Sequence, residues 1–246
     1  MSRRSLRAWV TSALTATILF GCRAAPAPSV GFADPTVLKK SDPTVPFDRF
    51  WHKPDVNWKS YDKIYVAEIN VSYMLKMTAW QKGERQEDIE KDVKQLSVYT
   101  RNSIIKAFRE DPNHRFQVID NPTHDPHALV FEMALIEAVP SKVLLNILGY
   151  APFYVGTAIS VIRGAANDKS SAAFESRTRD AATGETLILA ADRETEQYAP
   201  VDLRGLTWYS DIDGIIDVWS KQFVQIANQK PGEKIASEAT FRLLPW

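Results

Sequence analysis

A short loop with two histidines is the first candidate for chemistry in this sequence. His124 and His127 enclose Asp125 and Pro126, so two imidazoles and one carboxylate lie within four residues. Zinc ions take such ligands, but Pro126 prevents a regular helix from presenting them on one face. We therefore expect a polar loop here, and we predict neither a metal site nor a cofactor.

A second candidate is a group of carboxylates, Asp211, Asp213 and Asp217, around Gly214. Their order resembles a calcium-binding loop, but the third early ligand and the glutamate at the twelfth position are missing. The same residues lie where the sequence predicts the start of a helix, and acidic side chains stabilise the positive end of a helix. We interpret them as charges of that helix N-terminus.

The third candidate is an alternation of charges, because Arg177 and Arg179 share one predicted strand face with Glu175. This pattern is typical of a solvated face that carries cross-strand ion pairs. An anion-binding site is the alternative interpretation.

A nucleophilic hydrolase would need a serine or a cysteine beside a general base. The sequence contains no Gly-x-Ser-x-Gly elbow, and its only cysteine, Cys22, follows an apolar N-terminal stretch. We therefore predict no catalytic residues and no enzymatic activity.

Cys22 is instead the candidate for a lipid anchor. It follows Leu19-Phe20-Gly21 and closes an apolar stretch over residues 8–20, which three arginines precede, Arg3, Arg4 and Arg7. The stretch has the length of a signal peptide and is too short for a membrane span. This N-terminus resembles lipoprotein signal peptides, which implies cleavage before Cys22 and acylation of its sulfur and its amine. An ordinary signal peptide with an incidental cysteine is the alternative.

The residue after the anchor and the net charge bear on location and partners. Arg23, rather than an aspartate, follows Cys22, and in lipoproteins of this kind that favours passage to the outer membrane. We expect the periplasmic face of the outer membrane, with the inner membrane as the alternative. Cleavage removes three bases and no acid, so the mature chain has a net charge near −3, which argues against a nucleic-acid partner.

The remaining chain is long enough for one domain with one core. After the signal peptide at residues 1–21, the alanine- and proline-rich residues 22–30 predict a flexible tether. Residues 31–60 form an irregular wrap that we expect to dock its aromatic rings on the domain, and a ligand-stacking surface is the alternative. These rings belong to Phe32, Phe47, Phe50, Trp51 and Trp58. The α+β domain then covers residues 61–229, and a C-terminal tail covers residues 230–246.

Periodicity predicts the elements of this domain. A β-rich run predicts a central strand over residues 63–72, and an apolar stripe of period three to four predicts a long helix over residues 84–109. Strands follow over residues 115–119 and 128–138, and a hairpin pairs residues 174–179 with 186–191.

A second long helix is predicted over residues 211–229, with Ser210 or Asp211 as its N-cap. This order of elements predicts an α+β fold, a two-layer sandwich in which two long helices cover a mixed or antiparallel sheet.

The uncharged segment 143–162 is the hardest to interpret. Three breakers interrupt it, Gly149, Pro152 and Gly156. A straight transmembrane helix would need partners to satisfy the backbone at such breakers. We expect two short buried segments, 143–149 and 154–163, that close one end of the core. A self-association surface and membrane insertion are the alternatives.

Two stretches carry a resemblance to a family. They are Tyr61-Asp62-Lys63-Ile64-Tyr65-Val66 and residues 174–187, which contain Arg179-Asp180-Ala181-Ala182-Thr183-Gly184-Glu185. Together with the anchor and Gly31-Phe32, they resemble bacterial lipoproteins that are grouped as a domain of unknown function, number thirty-three-thirteen. The resemblance spans about residues 30–228. It implies an envelope location and a single domain, and it implies no catalytic residues.

From these features we expect an outer-membrane-anchored periplasmic lipoprotein that acts as a non-enzymatic binding or assembly component of the cell envelope. Its expected partner is membrane lipid, through the acylated Cys22, and a homo-oligomer or an envelope protein is a further candidate partner. The alternatives are a subunit of an oligomeric secretion or pore assembly and an envelope hydrolase.

Overall fold

The computed structural model describes residues 25–39, 41–75, 86–139, 170–195 and 210–235. Cys22 and the uncharged segment 143–162 lie outside these residues, so what we expect of them stays a prediction. The described strands are β1 Arg49–His52, β2 Lys63–Val66, β3 Gln117–Val118, β4 Ala128–Val139, β5 Ser171–Asp180 and β6 Thr186–Thr195. The described helices are α1 Ser72–Leu75, α2 Gln86–Arg109 and α3 Ser210–Ala227, with a 3-10 turn at Trp58–Ser60.

The six described strands form one mixed sheet in the order β1-β6-β5-β4-β2-β3. β4, β5 and β6 are antiparallel neighbours, and β1 is antiparallel to β6. β2 lies between β3 and β4 and is parallel to both. The turn between β5 and β6 contains Gly184, whose φ of +74° favours glycine. The α+β class and the hairpin that the sequence predicts are confirmed.

α2 and α3 pack against each other and cover one face of the sheet, the inner face. Their apolar stripes are buried there, as the period of three to four residues predicts. The stripe of α2 consists of Val93, Leu96, Ile104 and Phe108, and that of α3 consists of Ile212, Ile216, Trp219 and Phe223.

Both helices end beside the turn of the β5–β6 hairpin, which we call the hairpin end of the sandwich. The last turn of α2 contacts the residues before β3, since the rings of Phe108 and Phe116 lie 6.1 Å apart. Asn228, just after α3, donates its side-chain N–H to the Asp111 carboxylate at 3.0 Å. The start of β4 pairs with the end of β5, Leu129 with Asp180, at the same end.

Residues 25–38 lie over the opposite face of the sheet, the outer face, where Ala27, Ala33 and Leu38 are buried. The buried Glu175 carboxylate holds them there, because it accepts hydrogen bonds from three backbone N–H groups of this segment. The donors are the N–H groups of Val30, Phe32 and Ala33, at 3.0, 2.9 and 2.9 Å. Residues 25–30 thus differ from the flexible tether that their composition predicts.

Several element boundaries differ from those predicted by sequence. β2 ends at Val66 and not at residue 72, and beyond it Asn70 forms an isolated parallel bridge with Ala134. The Asn70 side chain accepts the Ser72 N–H at 2.9 Å, at the start of α1. The predicted irregular wrap contains β1, a short edge strand. β6 continues past residue 191 to Thr195, since Asp192 and Arg193 are buried and paired.

Candidate functional site

The space between the inner face of the sheet and the two long helices is not filled completely. A cavity of about 640 Å³ lies between the sheet and the two helices and opens at the hairpin end. Aromatic and aliphatic side chains form most of its wall, and we call it the interlayer cavity. The apolar residues that line it include Phe47, Phe50, Trp58, Ile64, Phe108, Phe116, Leu129, Phe131, Ile188, Phe223 and Ile226.

Rings from separate parts of the chain build the deep end of this cavity. Phe223 of α3 lies 4.9 Å from Phe131 of β4 and 5.2 Å from Phe47, measured between ring centroids. Phe47 also meets Phe174 of β5 edge-on at 5.3 Å. Trp219 supports Phe174 from behind at 4.8 Å and donates its indole N–H to Asp192 at 2.9 Å. These mutual contacts fix the shape of the wall.

The mouth of the interlayer cavity carries positive charge. Arg115 donates from one guanidinium nitrogen to the Tyr61 carbonyl at 2.7 Å and from another to the Trp58 carbonyl at 2.6 Å. Its guanidinium also lies 4.3 Å from the centre of the Phe116 ring. Lys59 is exposed at the same rim and forms no ion pair within the described residues. Among the described residues that line the cavity, none is an aspartate or a glutamate.

The interior offers two hydroxyl groups, those of Ser176 and Thr178 on β5. Both residues are buried, and neither hydroxyl is hydrogen bonded to another described residue. His52 lies at the rim, where its Nδ1 is 3.2 Å from the Lys53 carbonyl. In the described part of the chain, therefore, no hydroxyl of the cavity is paired with a general base, which nucleophilic catalysis requires. The arrangement suits binding.

Tyr61 fixes the hairpin beside this cavity. Its hydroxyl donates to the Asp180 carboxylate at 2.6 Å, and the other carboxylate oxygen accepts the N–H groups of Ala182 and Thr183. Burial, and then the bond to Asp180, raises the pKa of Tyr61 to about 12. Burial opposes ionisation of Asp180, but its hydrogen bonds outweigh that effect and lower its pKa. The two stretches that carry the family resemblance thus contact each other.

The histidine loop is held by contacts within the protein. Asp125 accepts a hydrogen bond from Lys63 at 2.7 Å, which is the main reason that its pKa is lowered. The Nδ1 atom of His127 is 2.8 Å from the Ser60 carbonyl. Across the residues with described positions, no group of three or more His, Cys, Asp or Glu side chains converges to hold a metal ion.

Of the carboxylates of the second candidate, Asp217 binds residues of α2. Asp217 lies two turns into α3, and one of its oxygens accepts the hydroxyls of Tyr99 and Ser103, both at 3.1 Å. It joins α3 to α2, so for Asp217 the predicted role as an N-terminal helix charge is wrong. The side chain of Asp211 lies outside the described residues.

The arginines of β5 form the predicted cross-strand ion pairs. Arg177 and Arg179 both bind Glu132 of β4, at 2.6 and 2.7 Å. Burial opposes ionisation of Glu132, but the bonds and charges of the two arginines outweigh it and lower its pKa. Phe32 covers Arg177, with 4.7 Å between the guanidinium carbon and the ring centre. The face is less solvated than predicted, because the N-terminal segment buries Glu175.

Sequence reasoning did not identify the interlayer cavity. The available signal was the set of aromatic residues in segment 31–60, for which a ligand-stacking surface was the alternative interpretation. Phe47, Phe50 and Trp58 from that segment do line the cavity, whereas Phe32 lies on the outer face. Arg115 and Lys59 carried no signal, because each is an isolated base in the sequence.

Among the helices of the described chain, none is long and apolar enough to span a membrane.

Comparison with known proteins identifies a family. The family model described as "Protein of unknown function (DUF3313)" matches residues 29–223. Among curated proteins there is no match.

Three solved structures show partial likeness. Two are PelC dodecamers from Paraburkholderia phytofirmans, with 11% and 8% identity and a TM-score of 0.40 each. They cover 74% of this chain, and 98% and 96% of their own chains. The third is the lipoprotein GNA1162 from Neisseria meningitidis, with 16% identity, a TM-score of 0.23, and coverage of 68% of this chain and 99% of its own. Likenesses of this extent do not bear on ligand, activity or assembly.

Proposed function

The chain belongs to the family described as Protein of unknown function (DUF3313), and on that premise we propose that it is an outer-membrane lipoprotein whose folded part binds an apolar ligand without catalysing a reaction. The anchor is the acylated Cys22, as the resemblance of the N-terminus to lipoprotein signal peptides implies. The binding site is the interlayer cavity.

The volume and lining of this cavity carry the proposal. Protein interiors are normally packed as densely as organic crystals, with few voids larger than a water molecule. A space of about 640 Å³ is far larger than such voids and lies within the range of about 300–1,000 Å³ that is common for small-molecule sites. Its apolar wall with a few polar groups at one end is also typical of such sites.

The position of the N-terminal segment supports an orientation for the anchored protein. The Ala25 carbonyl lies 3.4 Å from a guanidinium nitrogen of Arg193, near the end of β6 that is remote from the hairpin. Three residues reach at most about 11 Å, so the anchor attaches close to that end. The ten residues of β5 span about 33 Å between the two ends. The mouth of the cavity then faces away from the anchoring bilayer.

Native mass spectrometry of the protein isolated from its own envelope tests the proposal. Ala190 is buried at the cavity wall, so Ala190→Leu adds three carbons to the space that a ligand would occupy. We expect the wild type to carry a bound small molecule and Ala190→Leu to lose it. The matched control is Ala107→Leu, in the external groove between α2 and α3, which should keep the ligand.

Circular dichroism of both variants establishes that they are folded. A ligand retained equally by both variants would place the binding site elsewhere, and a wild type without any bound molecule would contradict the proposal.

A further inference from the structure

The charges at the mouth of the interlayer cavity restrict the class of ligand, if the proposed binding function holds. Lys59 and Arg115 bring two positive charges to the rim, while no carboxylate belongs to the described lining. Both guanidinium bonds of Arg115 go to backbone carbonyls, so no acidic side chain neutralises it through them. An anionic group at the mouth would therefore meet attraction, and a cationic group would meet repulsion.

The interior of the cavity favours an apolar group and disfavours a charged one. The rest of the wall consists mainly of rings and aliphatic side chains. Its polar groups are the hydroxyls of Ser176 and Thr178 and the Gln229 amide, whose nitrogen donates to the Thr44 and Glu233 carbonyls. A charged group placed there without a partner would lose its hydration, at a high cost in free energy. A bound molecule therefore has its charged end at the rim and its apolar part against the wall that Phe47, Phe131 and Phe223 form together.

We infer that the ligand is an anionic amphiphile, an apolar chain with a carboxylate or phosphate head that Lys59 and Arg115 hold at the mouth. This inference rests on the proposed function of the same cavity. A carboxylate head would belong to a free fatty acid and a phosphate head to a lipid, and both share the recognition chemistry described here.

Photocrosslinking in vesicles tests the inference on the mature lipoprotein. Four probes share one ten-carbon chain with a terminal diazirine and differ in the head: carboxylate, phosphate, hydroxyl or trimethylammonium. Each is titrated onto protein in phosphatidylcholine vesicles at matched free concentrations. Labelled peptides are mapped by mass spectrometry, and the half-saturating concentration is measured for peptides that contain Phe131 or Phe223.

We expect the two anionic probes to label these peptides at about tenfold lower concentration than the trimethylammonium probe. Lys59→Glu should raise the half-saturating concentration of the anionic probes about fivefold, the order expected when an exposed attractive charge is reversed, and leave that of the hydroxyl probe unchanged. Lys91→Glu, the same substitution on the exposed face of α2, is the control. It should leave the half-saturating concentrations of the anionic and the hydroxyl probes unchanged. A preference for carboxylate or for phosphate would identify the source of the ligand.

Two results would overturn the inference. One leaves the proposed function intact, and the other overturns the proposed function as well. Equal labelling of the cavity by all four probes, with no effect of Lys59→Glu, would show that the site binds apolar chains without selecting the head. The proposed function would then stand. An absence of labelling at Phe131 and Phe223 by every probe, in a folded protein, would remove the binding site itself and the proposed function with it.

Discussion

At the scale of single residues, the outer face of the sheet depends on buried and half-buried carboxylates. Glu175 is fully buried and satisfies three backbone N–H groups of the N-terminal segment. The Glu132 carboxylate accepts hydrogen bonds from both Arg177 and Arg179 of β5. Charge-assisted bonds of this kind are stronger than neutral ones. They explain why a proline-rich segment without regular structure lies in a defined position on the sheet.

The lowered pKa of Glu132 predicts a pH dependence of stability. In the unfolded chain this carboxyl takes up a proton near its ordinary pKa of 4.5. In the folded chain its pKa is lower, so it stays ionised to lower pH. The unfolded state then binds more protons, so the contribution to stability is present above pH 4.5 and is lost as pH falls through the folded-state pKa. Glu132→Gln removes this group, and the pH dependence below 4.5 should become shallower.

Urea unfolding of both proteins at pH 7, 4.5 and 3 measures the effect. Glu110→Gln serves as the control, because Glu110 is exposed and forms no ion pair within the described residues. Wild type and Glu132→Gln that lose stability in parallel would contradict the role assigned to the arginine pairs.

At the scale of elements, α3 links the core of the sandwich to the wall of the cavity. Trp219 is 1% exposed and anchors the helix through Phe174 and Asp192, and Phe223 lies one turn further along. The sequence period predicted that both residues are buried, and the structure confirms it. The helix therefore positions Phe223 at the deep end of the cavity.

Truncation of these side chains should destabilise the protein. Trp219→Ala and Phe223→Ala should each lower the free energy of unfolding by about 3–5 kcal/mol, since each removes buried contacts and leaves a void. Val98→Ala, at a site 53% exposed on α2, should change it by less than about 0.5 kcal/mol. Chemical denaturation measures the free energy of unfolding of all three variants. Unchanged unfolding midpoints for both α3 variants would show that the apolar stripe of α3 does not belong to the core.

The elements also show how far sequence reasoning reaches. Apolar periodicity is a local property, so it located α2, α3, β4 and the hairpin. The end of β6 was missed because Asp192 and Arg193 look like solvent-exposed residues, and only their tertiary partners, Trp219 and Glu137, explain their burial. The interlayer cavity could not be predicted, because its wall combines rings from distant segments whose spacing only the folded chain fixes.

In the complete protein, the proposed lipid anchor and the mouth of the interlayer cavity lie at opposite ends of the sandwich. Few large apolar side chains are exposed in the described part of the chain, namely Val30, Val37 and Val98. We propose that the acyl chains on Cys22 provide firm membrane attachment, since several chains together bind far more firmly than one.

Replacement of the anchor tests this assignment. Cys22→Ser should leave an unprocessed precursor or release the folded protein from the membrane, which fractionation in high salt and immunoblotting would detect. A mature Cys22→Ser protein that stays in the membrane fraction would instead point to residues 143–162 as a second attachment.

A crystal structure of the protein isolated from its own envelope would show whether the interlayer cavity holds a ligand. We expect continuous electron density for an elongated molecule in the cavity, with its apolar part against the contacting rings of Phe47, Phe131 and Phe223 and its charged end beside Lys59 and Arg115. A cavity that has collapsed onto Phe223, or that contains only water, would contradict the claim.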